Sequence, residues 1–175
     1  ILEMECLVYQ DGVIMNLKKQ NKNLLSYSNI MRLKTRINNI TISHEIPYQL
    51  FHYHDLINDY PYVLGHLLLH ATKYNRYKNF YREKLKTSKF SILDNSAFEL
   101  GTSINSIQYL ELIKEYRPTH FVLPDTLHDM EATIKSSIEF LVDFDKLGLE
   151  STPIGVLQGN TFEELFRCFD TYVGE

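Results

Sequence analysis

Residues 90–101 read FSILDNSAFELG, and this stretch decides the fold. An apolar run, residues 90–93, closes on an acid, Asp94. A polar pair, Asn95 and Ser96, follows, and then an aromatic, Phe98. Two later stretches repeat the layout. Residues 121–125, FVLPD, form a hydrophobic run that closes on Asp125, and residues 154–159, IGVLQG, one that closes on Gln158 and Gly159. A helical pattern comes after each. A strand, a polar group at its C-terminal end and a helix, three times in succession, is how a parallel α/β protein assembles a site.

Working outward, residues 39–43, NITIS, predict a first strand, with His44 and Glu45 at its end and Pro47 blocking its continuation. Residues 60–85 predict a mainly helical stretch with Val63, Leu64, Leu67, Leu68 and Ala71 on one face and a break near Asn75. Residues 89–93 predict the second strand. Ser103 is positioned to cap a helix that runs to Tyr116, where Arg117-Pro118 stops it. Residues 120–123 predict the third strand, and residues 129–147 a helix with Met130, Ile134, Ile138 and Leu141 on one stripe. Gly148 takes the left-handed position beyond its end. Residues 153–157 predict the fourth strand. Thr161 and Glu164 predict a capping box for a last helix that buries Leu165, Phe166 and Phe169. Residues 1–38 read as a partly helical N-terminal extension, and residues 39–175 as the partial (β/α) unit.

About four β-α units result, which predicts a parallel sheet with right-handed crossovers. Four units are half of an eight-stranded barrel, and a half barrel leaves two sheet edges unpaired. The sequence therefore reads as a shortened barrel, as a chain that pairs with a second copy, or as a small open sheet.

With 175 residues, 44% hydrophobic and 23% charged, the chain has the composition of an ordinary soluble domain. Its apolar runs are far shorter than a membrane span. Cys6 and Cys168 form no metal or redox motif, which fits a reducing, cytoplasmic setting without a membrane partner. The net charge of −4 conceals an asymmetry: residues 1–90 carry 13 Lys+Arg against 7 Asp+Glu, and residues 91–175 carry 5 against 15. Within the basic half, Lys78, Arg82 and Lys86 interleave with Tyr74, Tyr77, Phe80 and Tyr81. Rings that stack on bases beside cations that neutralise phosphates would suit nucleic acid. An amphipathic surface helix with buried tyrosines has the same composition.

Asp94 and Asp125 would project from one end of the sheet with Gln158 and Gly159 beside them. A carboxylate accepts from an N–H/NH₂ edge such as that of guanine, while an amide and a glycine N–H donate to a ring carbonyl. Phe98 could stack on the ring. A second carboxylate is left for proton transfer. Strand-ending aspartates also often do no more than cap the following helix.

The same residues resemble a known family. LDNSAFELG resembles the LDSGGFQ segment of tRNA-guanine transglycosylases, also called queuine tRNA-ribosyltransferases. FVLPDTLHD resembles the strand that carries their base-recognition aspartate, and PIGVLQGNTFEEL their GIVQGG segment, in the same order and with similar spacing. The wording is nearer still to the short phage-type branch that inserts 7-deazaguanines into nucleic acid, DNA included. The resemblance runs from about residue 39 to the end. It implies a TIM barrel, of which this chain would hold the N-terminal half. It also implies exchange of guanine for a 7-deazaguanine in tRNA or DNA.

By resemblance, Asp94 is the general base, Asp125 reads the guanine-like edge, Gln158 and Gly159 hold the carbonyl, and Phe98 belongs to the stacking wall. An aspartate nucleophile of the family attacks the sugar, but it belongs to a later strand, and the family's structural zinc also lies later. The resemblance thus implies no cofactor in this stretch and zinc only in a C-terminal part beyond it. The chain is a base-exchanging pentosyltransferase only if the full-length chain supplies the nucleophile. Ser96 and Ala97 stand where the family has paired glycines. Two rivals remain: a purine or nucleotide-binding module without catalysis, and an unrelated α/β hydrolase using Asp94 and Asp125 as an acid/base pair.

Overall fold

The computed structural model describes residue 41, residues 43–71 and residues 74–174. The N-terminal extension and most of the expected strand at residues 39–43 lie outside the described residues. Thr41 and Ser43, which are described, are not in a strand. A 3₁₀ turn, Phe51–Tyr53, and a short helix α1, His54–Ile57, lead into strand β1, Tyr62–Leu64. Helices α2, Gly65–His70, and α3, Asn75–Thr87, follow. Next come β2, Ile92–Asp94, the short α4, Ala97–Leu100, and α5, Ser106–Tyr116. The chain continues with β3, His120–Val122, α6, Met130–Asp145, β4, Thr152–Ile154, and α7, Phe162–Val173.

The strands form one all-parallel sheet in the order β1-β2-β3-β4, so each lies beside its neighbour in sequence. With right-handed crossovers, an order that never reverses puts every connecting helix on the same face. The core agrees. Val63, Leu93, Phe121 and Leu123 meet Tyr77, Tyr81, Tyr109, Ile113, Phe140 and Phe144 from the helices in one buried cluster. Because strand side chains alternate, Tyr62, Leu64, Ile92 and Asp94 belong to the other face.

Three of the four expected strands overlap the ranges the pattern gave them, and the first lies mostly outside the described residues. The described sheet begins at Tyr62–Leu64, inside the stretch read as helix. Val63 and Leu64 fit the apolar face of a helix equally well, and a strand of three residues is too short to display its own alternation. The break near Asn75 is real, since α3 starts there.

Helix ends follow the local rules with one correction. Asp129 caps α6 by accepting from the Ala132 amide, and Thr161 and Glu164 form the reciprocal capping box of α7. Gly148 has φ +59° beyond α6. The cap of α5, however, is Asn105, whose side chain accepts from the amides of Ile107 and Gln108. Ser103 instead donates to the Asp125 carbonyl at 2.7 Å and accepts from the Asp125 amide at 2.8 Å.

Gly65 opens α2 where β1 ends. A Cβ there would lie 2.5 Å from Ile104 Cδ1 and 3.0 Å from the Asp94 carbonyl oxygen. Gly65→Ala is therefore expected to destabilise the protein by about 1–3 kcal/mol through overpacking. A urea midpoint equal to that of the wild type would contradict this packing.

On β4, the Thr152 amide donates to Thr119 O at 2.8 Å, and Ile154 O accepts from the Leu123 amide at 2.9 Å. The residue between them, Pro153, thus turns its backbone outward and has no N–H to offer. Among the described residues β4 is an edge strand, and this proline blunts it.

Candidate functional site

The C-terminal ends of β1, β2 and β3 and the loop after β4 meet at one rim. Asp94 ends β2. Its Oδ1 accepts from the Ser96 amide at 2.6 Å, and its Oδ2 from the Tyr62 hydroxyl of β1 at 3.2 Å. Burial pushes the Asp94 carboxyl up to about 6, and Glu99 and Asp125 add like charge. The bonds from Ser96 and Tyr62 act in the opposite direction. A carboxyl in this range exchanges its proton near neutral pH.

Asp125 lies just beyond β3 and is 6% exposed. Its Oδ1 accepts from Asn95 Nδ2 at 2.8 Å and its Oδ2 from Gln158 Nε2 at 2.6 Å. Burial raises its carboxyl, while the bonds from Asn95 and Gln158 favour the ionised form. Asn95 is the hub: Nδ2 also donates to the Leu123 carbonyl at 2.5 Å, and Oδ1 accepts from the Ala97 amide at 2.7 Å. Gln158 Oε1 in turn accepts from the His128 amide at 3.0 Å, and Asn160 Nδ2 donates to His128 O at 2.7 Å. A polar chain therefore runs from the end of β2 across β3 to the loop after β4.

Asp94, Asp125 and Gln158 are thus brought to one rim, as the spacing of strand ends led one to expect. Gln158 has a more specific place than the sequence suggested, because one of its two amide protons serves Asp125. The same nitrogen carries a second proton. At Gly159 a Cβ would lie 2.7 Å from Glu164 Cβ, so packing against the start of α7 is by itself a reason for glycine there. Phe98 is 68% exposed on α4. Ser96 has φ +62°, a left-handed backbone that costs a non-glycine residue of order 1 kcal/mol. The bonds from its amide to Asp94 and from the His66 amide to its Oγ, 3.1 Å, hold it there.

The basic stretch divides. Tyr77, Tyr81 and Leu85 of α3 point into the core. Arg82 is engaged by Glu115 of α5 and by Asn79, with its guanidinium 5.4 Å from the centre of the Tyr116 ring. Lys78 is half-buried and Lys86 exposed. A groove of about 620 Å³ runs along α3, lined by Phe51, Arg76, Asn79, Phe80, Glu83, Lys84 and Thr87. None of the rim residues lines it.

Sequence reasoning missed Asn95, Tyr62 and His66. Asn95 looked like a turn residue, and Tyr62 and His66 fell inside a stretch read as helix. His66 is the second residue of α2 and lies beside Ser96. Its Nδ1 is buried with no hydrogen-bond partner among the described residues, and burial lowers its pKa. Among the described residues no cluster of three or more His, Cys, Asp or Glu could hold a metal ion. No helix among them is long and apolar enough to cross a membrane.

Among the described residues, fold and rim define a mixed α/β protein with a four-stranded all-parallel sheet, seven helices and two neighbouring carboxylates at the strand ends. No family model, no curated protein and no solved structure matches the chain.

Proposed function

We propose that the rim is a purine-base site and that the chain is the N-terminal half of a TIM-barrel transglycosylase exchanging guanine for a 7-deazaguanine in tRNA or DNA. What supports this reading is the linked set Asp94, Asn95, Asp125 and Gln158. Two carboxylates share a site, and their surroundings suit them to different work. Asp94, with its proton affinity raised to about 6, is the group that takes a proton from an incoming base. Asp125, with one bond on each oxygen, keeps a lone pair on each for the N–H/NH₂ edge of the base. The free proton of the Gln158 amide is directed to the ring carbonyl. Phe98 and Gly159 border the base, and Lys78 and Lys86 supply positive charge for a nucleic-acid backbone. The sugar-attacking aspartate comes from another part of the barrel.

The test is binding of guanine and of a 7-deazaguanine, read by calorimetry. Gln158→Ala is expected to cost about 1–3 kcal/mol of affinity, because it leaves one polar edge of the base unpaired and loosens Asp125. An unrelated hydrolase that uses the two aspartates as an acid/base pair would bind the base no worse after that substitution. Unchanged affinity would therefore remove the purine-base reading.

A further inference from the structure

The Gln158 side chain ends in a donor and an acceptor on one flat group, so what it offers a ligand depends on which way the amide is turned. Its two neighbours decide this. On one side Nε2 donates to Asp125 Oδ2 at 2.6 Å, and an ionised carboxylate only accepts. On the other side Oε1 accepts from the His128 backbone amide at 3.0 Å, and a backbone N–H only donates. Turning the amide over would set oxygen against oxygen at one end and N–H against N–H at the other. The side chain is half-buried, so it still reaches the surface of the rim.

The N–H of His128 is aimed by a left-handed backbone, φ +62°. His128 is the third residue of a turn closed by the Asp129 amide on Thr126 O at 3.1 Å, a place where a positive φ usually calls for glycine or asparagine. Its imidazole is exposed and forms no hydrogen bond among the described residues. The loop after β4 holds this backbone instead, through Asn160 Nδ2, which donates to His128 O at 2.7 Å. Asn160 is fixed in turn. Its amide donates to Glu164 Oε2 at 2.6 Å, on the carboxylate that closes the capping box of α7. His128 stands one place before Asp129, the cap of α6, and Asn160 one place before Thr161, the cap of α7. Two helix starts therefore anchor the pair.

We infer that His128 and Asn160 are positioning residues that fix the Gln158 amide so that the rim offers a ligand N–H and not C=O, which selects a 6-oxopurine over a 6-aminopurine. The inference rests on the purine-base reading and adds to it the residues that set the choice of base. The 6-carbonyl accepts the second proton of Gln158 Nε2. A 6-amino group brings N–H against N–H and leaves both unpaired, and a site built around one hydrogen bond rejects a base that cannot complete it. Asp125 acts in the same sense, since ring N1 carries a proton in a 6-oxopurine and none in a 6-aminopurine. His128 works through Gln158 and through its own backbone, so what matters at this position is the capacity for a left-handed conformation.

The test is calorimetric titration of the full chain with guanine and with 2,6-diaminopurine, which keeps the 2-amino group and carries an amine in place of the carbonyl. The wild type is expected to prefer guanine by about 100-fold or more. Asn160→Ala, and His128→Val, whose branched side chain disfavours positive φ, should each cut that preference about tenfold. His128→Gly, which takes a left-handed backbone freely, should keep it. Asp125 and its contact with N1 are common to all of these proteins, so the change in ratio reads Gln158. A general loosening of the rim would weaken both bases alike and leave the ratio where it was. Positions 128 and 160 are exposed, so the circular dichroism of the variants should match the wild type. Equal affinity of the wild type for the two bases, an unchanged ratio in Asn160→Ala and His128→Val, or a fall in His128→Gly as large as in His128→Val would each overturn the inference. A wild type that binds neither base would instead remove the purine-base reading itself, and this selectivity with it.

Discussion

Asp94→Asn is expected, under the proposed function, to abolish base exchange and, at the same time, to stabilise the protein above pH 6. Asn keeps the acceptor for the Ser96 amide and a polar partner for Tyr62, but it cannot take a proton, so the loss of a general base, of order 10²–10⁴ in rate, falls on turnover. Binding of the base should remain measurable. The stability effect follows from the raised proton affinity. In the folded chain the carboxyl is held at about 6, against an ordinary 3.8. The folded state then binds this proton more tightly than the unfolded one, so the group's contribution is fully present below pH 4 and is lost as pH rises through 6. At pH 7.5 the wild type carries a buried charge that costs on the order of 3 kcal/mol, and Asn does not. Melting temperatures from pH 4 to 8 should show the variant ahead of the wild type at the alkaline end and level with it at the acid end. Equal melting at both ends, or turnover at the wild-type rate, would take Asp94 out of this role.

Asn95→Ala should be the most damaging substitution among the polar residues at the rim. Asn95 is 2% exposed and makes three hydrogen bonds, to Leu123 O, Asp125 Oδ1 and the Ala97 amide. Alanine leaves a buried carbonyl and a buried N–H unmet and opens a small gap between β2 and β3, for a loss of about 2–4 kcal/mol. Asp125 also loses a bond that favours its ionised form, so its carboxyl should rise further. The denaturation midpoint measures the first effect. The second appears as a shift to higher pH of the acid limb of base binding. A midpoint within about 0.5 kcal/mol of the wild type would mean that Asn95 does not hold the rim together.

Much of this architecture was legible along the chain because its causes are local. An apolar run of four or five residues closing on an acid, followed by a capped helix, needs no knowledge of neighbours, and β2, β3, β4, α6 and α7 all fell near where such runs stood. Parallel pairing followed from the alternation of strand and helix. Asp94, Asp125 and Gln158 reached a common rim for the same reason: each ends a strand, or follows one, in a sheet whose strands all point one way.

What depended on partners distant in sequence was not legible. Val63 and Leu64 satisfy a helical stripe as well as a strand, and only pairing with Leu93 and Asp94 makes β1 a strand. Asn95 became the hub of the site because β3 places Leu123 O and Asp125 within its reach. Ser103 serves Asp125 rather than the helix it precedes. On α7 the amphipathic pattern was plain, but the helix has two apolar sides, and Phe166 and Phe169, expected inside, lie outside. The chain by itself determined the order of elements and the end of the sheet at which the acids gather, since both depend on neighbours in sequence. The tertiary structure decided which apolar face is buried and which polar groups join, since both depend on what the fold brings alongside.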